Sequence, residues 1–203
     1  MPRAQRYKRK NSAGKKIISW LLVLAILAAA VFVFVTYFYK DTKQKFDEMN
    51  YPRKYSEYVE KAAKDYDLEP SLIYAVIHTE SGFDAEAQSG VGACGVMQMM
   101  PSSFEWLQEQ RGCAGKYTTD DLYNPEICID YGSYLLKYFY DYYGTERSAV
   151  AAYNAGFVVG DWLADANYSS DGKNLDSIPY PETENYVKKV ESAKEMYIKL
   201  YYS

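Results

Sequence analysis

The chain has 203 residues, 48% of them hydrophobic and 25% charged, with 23 basic against 27 acidic side chains. This acidic excess argues against a protein that binds nucleic acid nonspecifically, because such a protein needs a basic face. The charge is also unevenly distributed. The first 16 residues hold seven basic side chains and no acidic one, so the remainder has 16 basic and 27 acidic residues and a net charge of −11.

Residues 17–39 carry no charge over 23 positions. At ~1.5 Å per residue, a helix of this length spans the ~30 Å hydrocarbon core of a bilayer. The basic stretch 1–16 is typical of a cytoplasmic tail, so we expect the chain after residue 39 to lie outside the cytoplasm. A cleaved signal peptide is the alternative, with small residues at 28–30 as its cleavage site. Bulky apolar residues continue beyond them, however, which favours an uncleaved signal-anchor.

Residues 40–54 are mixed and charged and indicate a short stalk, and residues 55–203 are enough for one compact domain. The hydrophobic pattern predicts helices over 55–66, 70–81, 102–110, 127–143, 146–155 and 183–200. The turn-rich stretch 86–98 is the one place where we expect strand, as a small hairpin, and the polar stretch 165–181 is typical of a loop. The sequence therefore predicts an α+β domain that is mostly helical, preceded by a single transmembrane helix.

Glu80 lies near the end of an apolar stretch, PSLIYAVIHTESGF at 70–83. Pro70 suits the first turn of a helix, and Gly82 ends the apolar run just after the glutamate. A carboxyl that is half-buried against apolar neighbours has a raised pKa. Such a group can hold a proton near neutral pH and donate it to a leaving-group oxygen. The plainer alternative for a glutamate at a helix end is a solvated surface residue.

Three later stretches have distinctive patterns: QSGVGACGVMQMMP at 88–101, AAYNAG at 151–156 and ETENYV at 182–187. The glycines of the first stretch allow a tight turn and the close approach of a ligand. Together with Glu80, and in this order, these stretches resemble the catalytic domain of the lytic transglycosylases related to soluble lytic murein transglycosylase and goose-type lysozyme. The resemblance covers residues 70–190. It implies a lysozyme-like fold and action on the glycan strands of peptidoglycan.

The resemblance also implies roles for individual residues. It makes Glu80 the single catalytic acid and base. The residues that it places at the substrate are Ser89, Gln98, Met100, Tyr153, Asn154, Glu182 and Tyr186. Cys94 stands where the family usually has serine or alanine, and Cys128 is near a position often held by asparagine. Neither departure affects the need for a carboxyl.

The reaction implied by the resemblance needs only one carboxyl, whereas ordinary glycosidases use two. Glu80 would protonate the glycosidic oxygen between N-acetylmuramic acid (MurNAc) and N-acetylglucosamine (GlcNAc). It would then take the proton of the C6 hydroxyl, which closes on C1 to give a 1,6-anhydro end. A muramidase, in which water attacks instead, is the nearest alternative. A non-catalytic peptidoglycan-binding scaffold subunit is another, although such a subunit has no need of the carboxyl. An enzyme that works only inside a larger machine is the third.

Several of these residues have plainer explanations. Met97 and Met99 are candidates for core filling, and the Tyr153 hydroxyl could bond a neighbour as most tyrosines do. Glu182 could belong to a solvated charged face. His78, the only histidine, is interpreted as a surface residue.

The three cysteines are Cys94, Cys113 and Cys128. An oxidising exterior permits one disulfide among them, and the sequence leaves open which two pair or whether all three stay reduced. No stretch has the spacing of metal ligands or of a phosphate-binding loop, so we expect no metal and no cofactor. The expected partners are peptidoglycan glycan strands and, through 17–39, the cell membrane. The sequence does not identify which partners the protein has in a cell-wall machinery.

Overall fold

The structure is a computed structural model that describes residues 12–203. The predicted basic tail over 1–16 therefore falls largely outside the described residues. The described chain divides into two units, one that ends at Asn50 and one that covers Tyr51–Ser203.

The first unit is one long helix, α1 (Ser12–Asn50). It is the only helix in the described part of the chain that is long and apolar enough to cross a membrane, by length and composition. Its apolar side chains are exposed, for example Trp20 at 69% and Phe34 at 68%. The helix continues into the predicted stalk, where Lys45 forms an ion pair with Asp41 one turn earlier, at 2.8 Å.

The second unit contains seven α-helices: α2 (Ser56–Tyr66), α3 (Pro70–Glu80), α4 (Pro101–Gln110), α5 (Pro125–Tyr143), α6 (Glu146–Ala155), α7 (Val159–Ala164) and α8 (Pro181–Tyr197). Short 3₁₀ helices cover Thr119–Tyr123 and Gly156–Val158, and a π-helical turn covers Ile198–Tyr202. The six predicted helices are confirmed, with ends that differ by three residues or fewer. The sequence pattern did not reveal α7.

Local sequence explains several helix ends. Helices α3, α4, α5 and α8 each begin with proline, whose missing N–H costs nothing in the first turn. The Asn124 side chain caps α5 by accepting the Glu126 N–H at 2.9 Å, and Gly144 ends that helix with a positive φ of 78°.

Helix α3 is the centre of the core. Every residue from Ser71 to Ile77 is buried, as expected for a helix that is surrounded on all sides. Helix α8 packs along α3, and the rings of Tyr74 and Tyr197 stack with their centroids 5.1 Å apart. Because Tyr186 in the N-terminal half of α8 also interacts with Glu80, the C-terminal end of α3 lies near that half of α8.

The expected hairpin at 86–98 does not form strands. The structure has no β-strand within 12–203, and only isolated bridges join Gln88 to Cys94 and Cys94 to Met99. The backbone turns too often here for a ladder to extend. A Cβ at Gly95, whose φ is +75°, would lie 2.0 Å from the Leu122 carbonyl oxygen. The mostly helical, lysozyme-like domain is confirmed, but the α+β class is not.

The three cysteines are all free. Cys94 and Cys128 are buried, while Cys113 is half-exposed and its sulfur lies 3.3 Å from the Tyr131 hydroxyl. Of the states that the sequence left open, the fully reduced one is the state found here.

Candidate active site

Glu80 is the last residue of α3, and its carboxyl is largely surrounded by protein. Burial raises the pKa of Glu80 to about 7, and the Tyr186 hydroxyl opposes part of this rise. The prediction of a raised pKa is therefore confirmed. A carboxyl with this pKa can donate a proton and later accept one near neutral pH.

Two tyrosine side chains approach this carboxyl from different helices, Tyr153 from α6 and Tyr186 from α8. Burial raises the pKa of both phenols well above the ordinary value, and the nearby Glu80 charge adds to the rise. Both phenols therefore stay protonated and keep a hydroxyl hydrogen to donate. The Tyr153 hydroxyl donates to the Met97 carbonyl at 2.9 Å.

The Tyr186 hydroxyl is buried, and no described acceptor lies within full hydrogen-bond geometry of it. Its interaction with the Glu80 carboxyl is therefore loose in this state. Catalytic hydrogen bonds are often long without substrate and tighten when substrate binds. The pair is thus poised to bond more closely when Glu80 carries a negative charge.

The turn segment, which we define as residues 86–99, lies against the end of α3. The Ser81 hydroxyl, next to Glu80, donates to the Val96 carbonyl at 2.8 Å. The Gln98 side-chain amide donates to the carbonyls of Ala87 and Gly95, both at 3.0 Å. These bonds hold the segment in its turns, with Gln98 itself at a positive φ of 47°.

Cys128 lies beneath the turn segment. Its sulfur accepts the Met97 N–H at 3.4 Å, and burial raises the pKa of the thiol to about 12. Glu80 is close enough for its charge to contribute to that rise. The thiol therefore stays protonated. It forms an uncharged surface beneath the turn segment and does not act as a nucleophile.

The sequence model of the transglycosylase SLT domain family matches residues 57–175. This chain belongs to that family. The resemblance found in the sequence is thereby confirmed, and the match includes Glu80, the turn segment and Tyr153. It ends before α8, so Tyr186 and Glu182 lie outside the matched range.

Relatives of this SLT domain include the soluble lytic murein transglycosylase of Escherichia coli (strain K12), which is 32% identical over 146 residues, 70% of this chain and 23% of the relative. The membrane-bound lytic murein transglycosylase C of Actinobacillus pleuropneumoniae serotype 5b (strain L20) is 32% identical over 168 residues, 72% of this chain and 46% of the relative. This chain thus spans less than half the length of these relatives.

This chain is also similar to solved structures of lytic transglycosylases. An inactive glutamate-to-glutamine mutant of the lytic transglycosylase Slt from Pseudomonas aeruginosa superimposes with a TM-score of 0.66 at 30% identity, covering 75% of this chain and 25% of that one. The 70 kDa soluble lytic transglycosylase Slt70 of Escherichia coli superimposes with a TM-score of 0.66 at 28% identity and the same coverage.

The SLT domain brings three of the predicted site residues together, namely Glu80, Tyr153 and Tyr186. Two others, Ser89 and Gln98, are hydrogen-bonded within the turn segment. The Ser89 hydroxyl accepts the Ala93 N–H at 2.9 Å.

The other predicted residues lie at the edges of this arrangement. Met100 precedes α4 and is 38% exposed. The Asn154 side-chain oxygen accepts the Thr183 hydroxyl at 2.7 Å and so joins α6 to α8. Glu182 is exposed in the first turn of α8. Met97 and Met99 are buried in the core, as expected if they fill it.

The interpretation of His78 as a surface residue was wrong. Its ring is half-buried and packs on Tyr51, with a centroid distance of 4.8 Å, and on the Tyr197 ring at 6.3 Å. Burial lowers the pKa of His78. The residues that cover it are distant in sequence, so the local pattern did not reveal the contact.

Sequence reasoning assigned no supporting role to Ser81, Cys128 or Thr183. Each acts through a contact with a distant segment, and for Ser81 the only signal was its place directly after Glu80. Within the part of the chain that the structure describes, no three His, Cys, Asp or Glu side chains are grouped as metal ligands would be.

Proposed function

We propose that this protein is a membrane-anchored lytic transglycosylase that cleaves the β-1,4 bond between MurNAc and GlcNAc in peptidoglycan and leaves 1,6-anhydro-MurNAc ends. The observation that carries this proposal is the single carboxyl of Glu80, whose pKa is raised to about 7 at the centre of an SLT domain. The inactive glutamate-to-glutamine mutant of the Pseudomonas aeruginosa relative supports a reaction of this family that depends on glutamate.

In the first step, protonated Glu80 donates its proton to the glycosidic oxygen, and the bond from that oxygen to C1 of MurNAc breaks. The oxygen of the substrate's own 2-acetamido group stabilises the positive charge that develops at C1. In the second step, the Glu80 carboxylate takes the proton of the C6 hydroxyl. The C6 oxygen then bonds to C1, and no water enters the product.

Tyr186 fits a supporting role in this cycle. After the first step Glu80 carries a negative charge in a buried place, which costs free energy unless a donor faces it. The Tyr186 phenol stays protonated and has no competing partner among the described residues. It can therefore donate a charge-assisted hydrogen bond to the carboxylate between the two steps.

The remaining site residues are proposed to bind the glycan. The Asn154 oxygen is occupied by Thr183, which leaves its amide nitrogen as a donor. The Gln98 nitrogen is occupied within the turn segment, which leaves its oxygen as an acceptor. Met100 and Glu182 are exposed, so a sugar chain can reach both, and Ser89 keeps its hydroxyl hydrogen for a ligand.

The proposed topology has residues 1–16 in the cytoplasm, 17–39 in the membrane, 40–54 as a stalk and the domain 55–203 on the outer side. The exposed apolar side chains of α1 support the membrane segment, since such a surface is favourable in lipid. Some relatives are named membrane-bound lytic murein transglycosylase C. The chain beyond residue 16 has a net charge of −11, so its overall charge does not favour binding to an anionic cell wall. Binding of the wall therefore depends on the cleft around Glu80.

Replacement of Glu80 by glutamine tests the proposal, because it keeps the shape and removes the acid. Full-length protein in detergent is incubated with purified peptidoglycan, and the release of soluble fragments is measured. We expect Glu80→Gln to lower the rate about 10²-fold or more. Glu86→Gln, which changes an exposed carboxyl in the turn segment, is the matched control and should leave the rate unchanged. Retained cleavage by Glu80→Gln would overturn the role of Glu80.

A further inference from the structure

Three aromatic side chains form a partly exposed surface that the proposed reaction does not use. We define this aromatic surface by Trp106 of α4, Tyr138 of α5 and Phe157 of the 3₁₀ helix Gly156–Val158. The rings of Trp106 and Tyr138 meet edge to face with centroids 5.0 Å apart, and the Phe157 centroid lies 6.2 Å from each of them. Phe157 is 52% exposed, whereas phenylalanine is usually buried. Clustered exposed apolar rings often mark a binding surface.

The exposed ring of Phe157 is held in place from behind. It packs on the buried Phe139 ring, with centroids 5.3 Å apart. The Tyr143 hydroxyl donates to the Phe157 carbonyl at 3.2 Å and so fixes the backbone that carries the ring. A rigid aromatic side chain loses little conformational entropy when a ligand binds it. The aromatic surface is therefore preorganised for binding.

Two segments with proposed glycan-binding residues lead to the aromatic surface. Met100 directly precedes α4, and Trp106 follows it by six residues, which is roughly 9 Å along a helix. Asn154 lies near the end of α6, and Phe157 follows it by three residues. A ligand that contacts Met100 and Asn154 can therefore extend towards the surface.

Helix α5 connects the surface to the turn segment. A Cβ at Gly132 of this helix would lie 2.5 Å from the Met97 sulfur, so the two segments are in close contact there. The Met97 carbonyl in turn accepts the Tyr153 hydroxyl. Tyr138 follows Gly132 by six residues, again roughly 9 Å along the helix. The aromatic surface thus lies on the order of 10 Å from the residues around Glu80.

The aromatic surface is uncharged in a domain of negative charge. The chain after residue 16 has a net charge of −11, and the Lys137 ammonium beside Tyr138 is paired with Asp141 at 2.8 Å. An uncharged ligand meets no electrostatic repulsion at this place. Sugar rings are such a ligand, because their C–H faces pack on aromatic rings. Their hydroxyls can also bond the Trp106 indole N–H and the Tyr138 hydroxyl.

We propose that the aromatic surface binds sugar rings of the glycan strand beyond the units held at Glu80, and that cleavage therefore depends on strand length. This inference rests on the proposed function. A strand that is long enough to reach the surface gains binding free energy that a shorter strand lacks. Because this contact is the same before and during the reaction, it lowers KM and leaves kcat unchanged.

The test compares two soluble substrates made from uncross-linked glycan strands: long strands, and the shortest fragment that the wild type still cleaves. Full-length protein in detergent is assayed as wild type, Phe157→Ala, Phe157→Leu and Phe157→Tyr. The leucine variant keeps an apolar side chain without a flat ring, and the tyrosine variant keeps the ring. Tyr140→Ala is the matched control, because Tyr140 is an exposed tyrosine of α5 that points away from Tyr138. Thermal unfolding checks that each variant is folded.

With long strands, we expect Phe157→Ala and Phe157→Leu to raise KM roughly two- to tenfold at unchanged kcat. Phe157→Tyr and Tyr140→Ala should match wild type. With the shortest fragment, all variants should match wild type. Equal effects on both substrates would overturn the proposal, because they would place the role of Phe157 at the site itself. No effect on either substrate would also overturn it and would favour a protein partner for this surface.

Strand binding is also measured without cleavage, in Glu80→Gln protein. We expect the added Phe157→Ala change to raise the Kd for fluorescently labelled long strands roughly two- to tenfold. An unchanged Kd would overturn the role of the aromatic surface whether or not the wild type cleaves. Weaker binding by the Phe157→Ala protein, together with a wild type that cleaves no strand, would instead overturn the proposed function and leave the surface as a glycan-binding site.

Discussion

The Tyr186 hydroxyl and the Glu80 carboxyl lie together in the interior, and each changes the pKa of the other. The hydroxyl opposes the rise in the pKa of Glu80, and the carboxylate adds to the rise in the pKa of Tyr186. One residue ends α3 and the other lies in the second turn of α8. The packing of these two helices therefore sets the proton affinity of the site.

Replacement of the phenol tests this relationship. Because the Tyr186 hydroxyl lowers the pKa of Glu80, Tyr186→Phe should raise that pKa further. Glu80 must be protonated for the first step, so the wild-type kcat/KM should fall above about pH 7. In Tyr186→Phe this fall should begin at a higher pH, with a lower maximum rate. Tyr142→Phe, at an exposed tyrosine, is the control. A fall in kcat/KM that begins at the same pH or at a lower pH in Tyr186→Phe would contradict the account.

Glu80 should also affect stability in a pH-dependent way. Its pKa rises from an ordinary 4.5 to about 7 on folding, so the folded state holds the proton more tightly than the unfolded state does. The stability linked to that proton is complete below pH 4.5 and is lost as the pH rises through about 7.

Glu80→Gln carries no charge and should therefore match wild type at about pH 4. At about pH 8 it should exceed the wild-type free energy of unfolding by on the order of 2–3 kcal/mol. Chemical denaturation at both pH values measures this difference, with Glu182→Gln as an exposed control. A Glu80→Gln protein that gains nothing at the higher pH would show that Glu80 is not buried as described.

The turn segment should not tolerate a side chain at Gly95. A Cβ there would lie 2.0 Å from the Leu122 carbonyl oxygen and 2.9 Å from the Cys128 sulfur, and the φ is +75°. We expect Gly95→Ala to lower the free energy of unfolding by about 2–4 kcal/mol. Gly90→Ala, whose Cβ would meet no atom within 4 Å, should change it by less than about 0.5 kcal/mol. Equal unfolding midpoints in urea would contradict this packing.

Thiol labelling tests which of the three cysteine thiols are accessible in the folded protein. Burial raises the pKa of the Cys128 thiol to about 12, and Cys94 is buried as well, whereas Cys113 is half-exposed. We expect a maleimide to modify Cys113 first in the folded protein and all three thiols after denaturation. Intact mass analysis follows the number of adducts. Labelling of Cys128 at the rate of Cys113 would mean that the Cys128 thiol is accessible to solvent, which would contradict its burial beneath the turn segment.

Much of the fold could be predicted because its signals are local. Proline marks the start of four helices, and apolar periodicity marks their extent. The raised pKa of Glu80 also followed from its own segment, since the apolar residues of α3 up to Ile77 are buried.

The features that the sequence did not reveal depend on distant contacts. Residues of α8 and Tyr51 cover His78, and nothing near His78 in the sequence signals them. The turn segment has the glycines of a hairpin, yet side-chain bonds such as those of Gln98 hold it in turns instead of strands.

Mass spectrometry of the fragments that full-length protein releases from purified peptidoglycan tests the central claim most directly. If Glu80 acts first as acid and then as base, each new MurNAc end is a 1,6-anhydro ring and is lighter by one water than a hydrolysed end. Reducing MurNAc ends would contradict that account and make the protein a muramidase. No released fragment at all would favour a scaffold subunit over an enzyme.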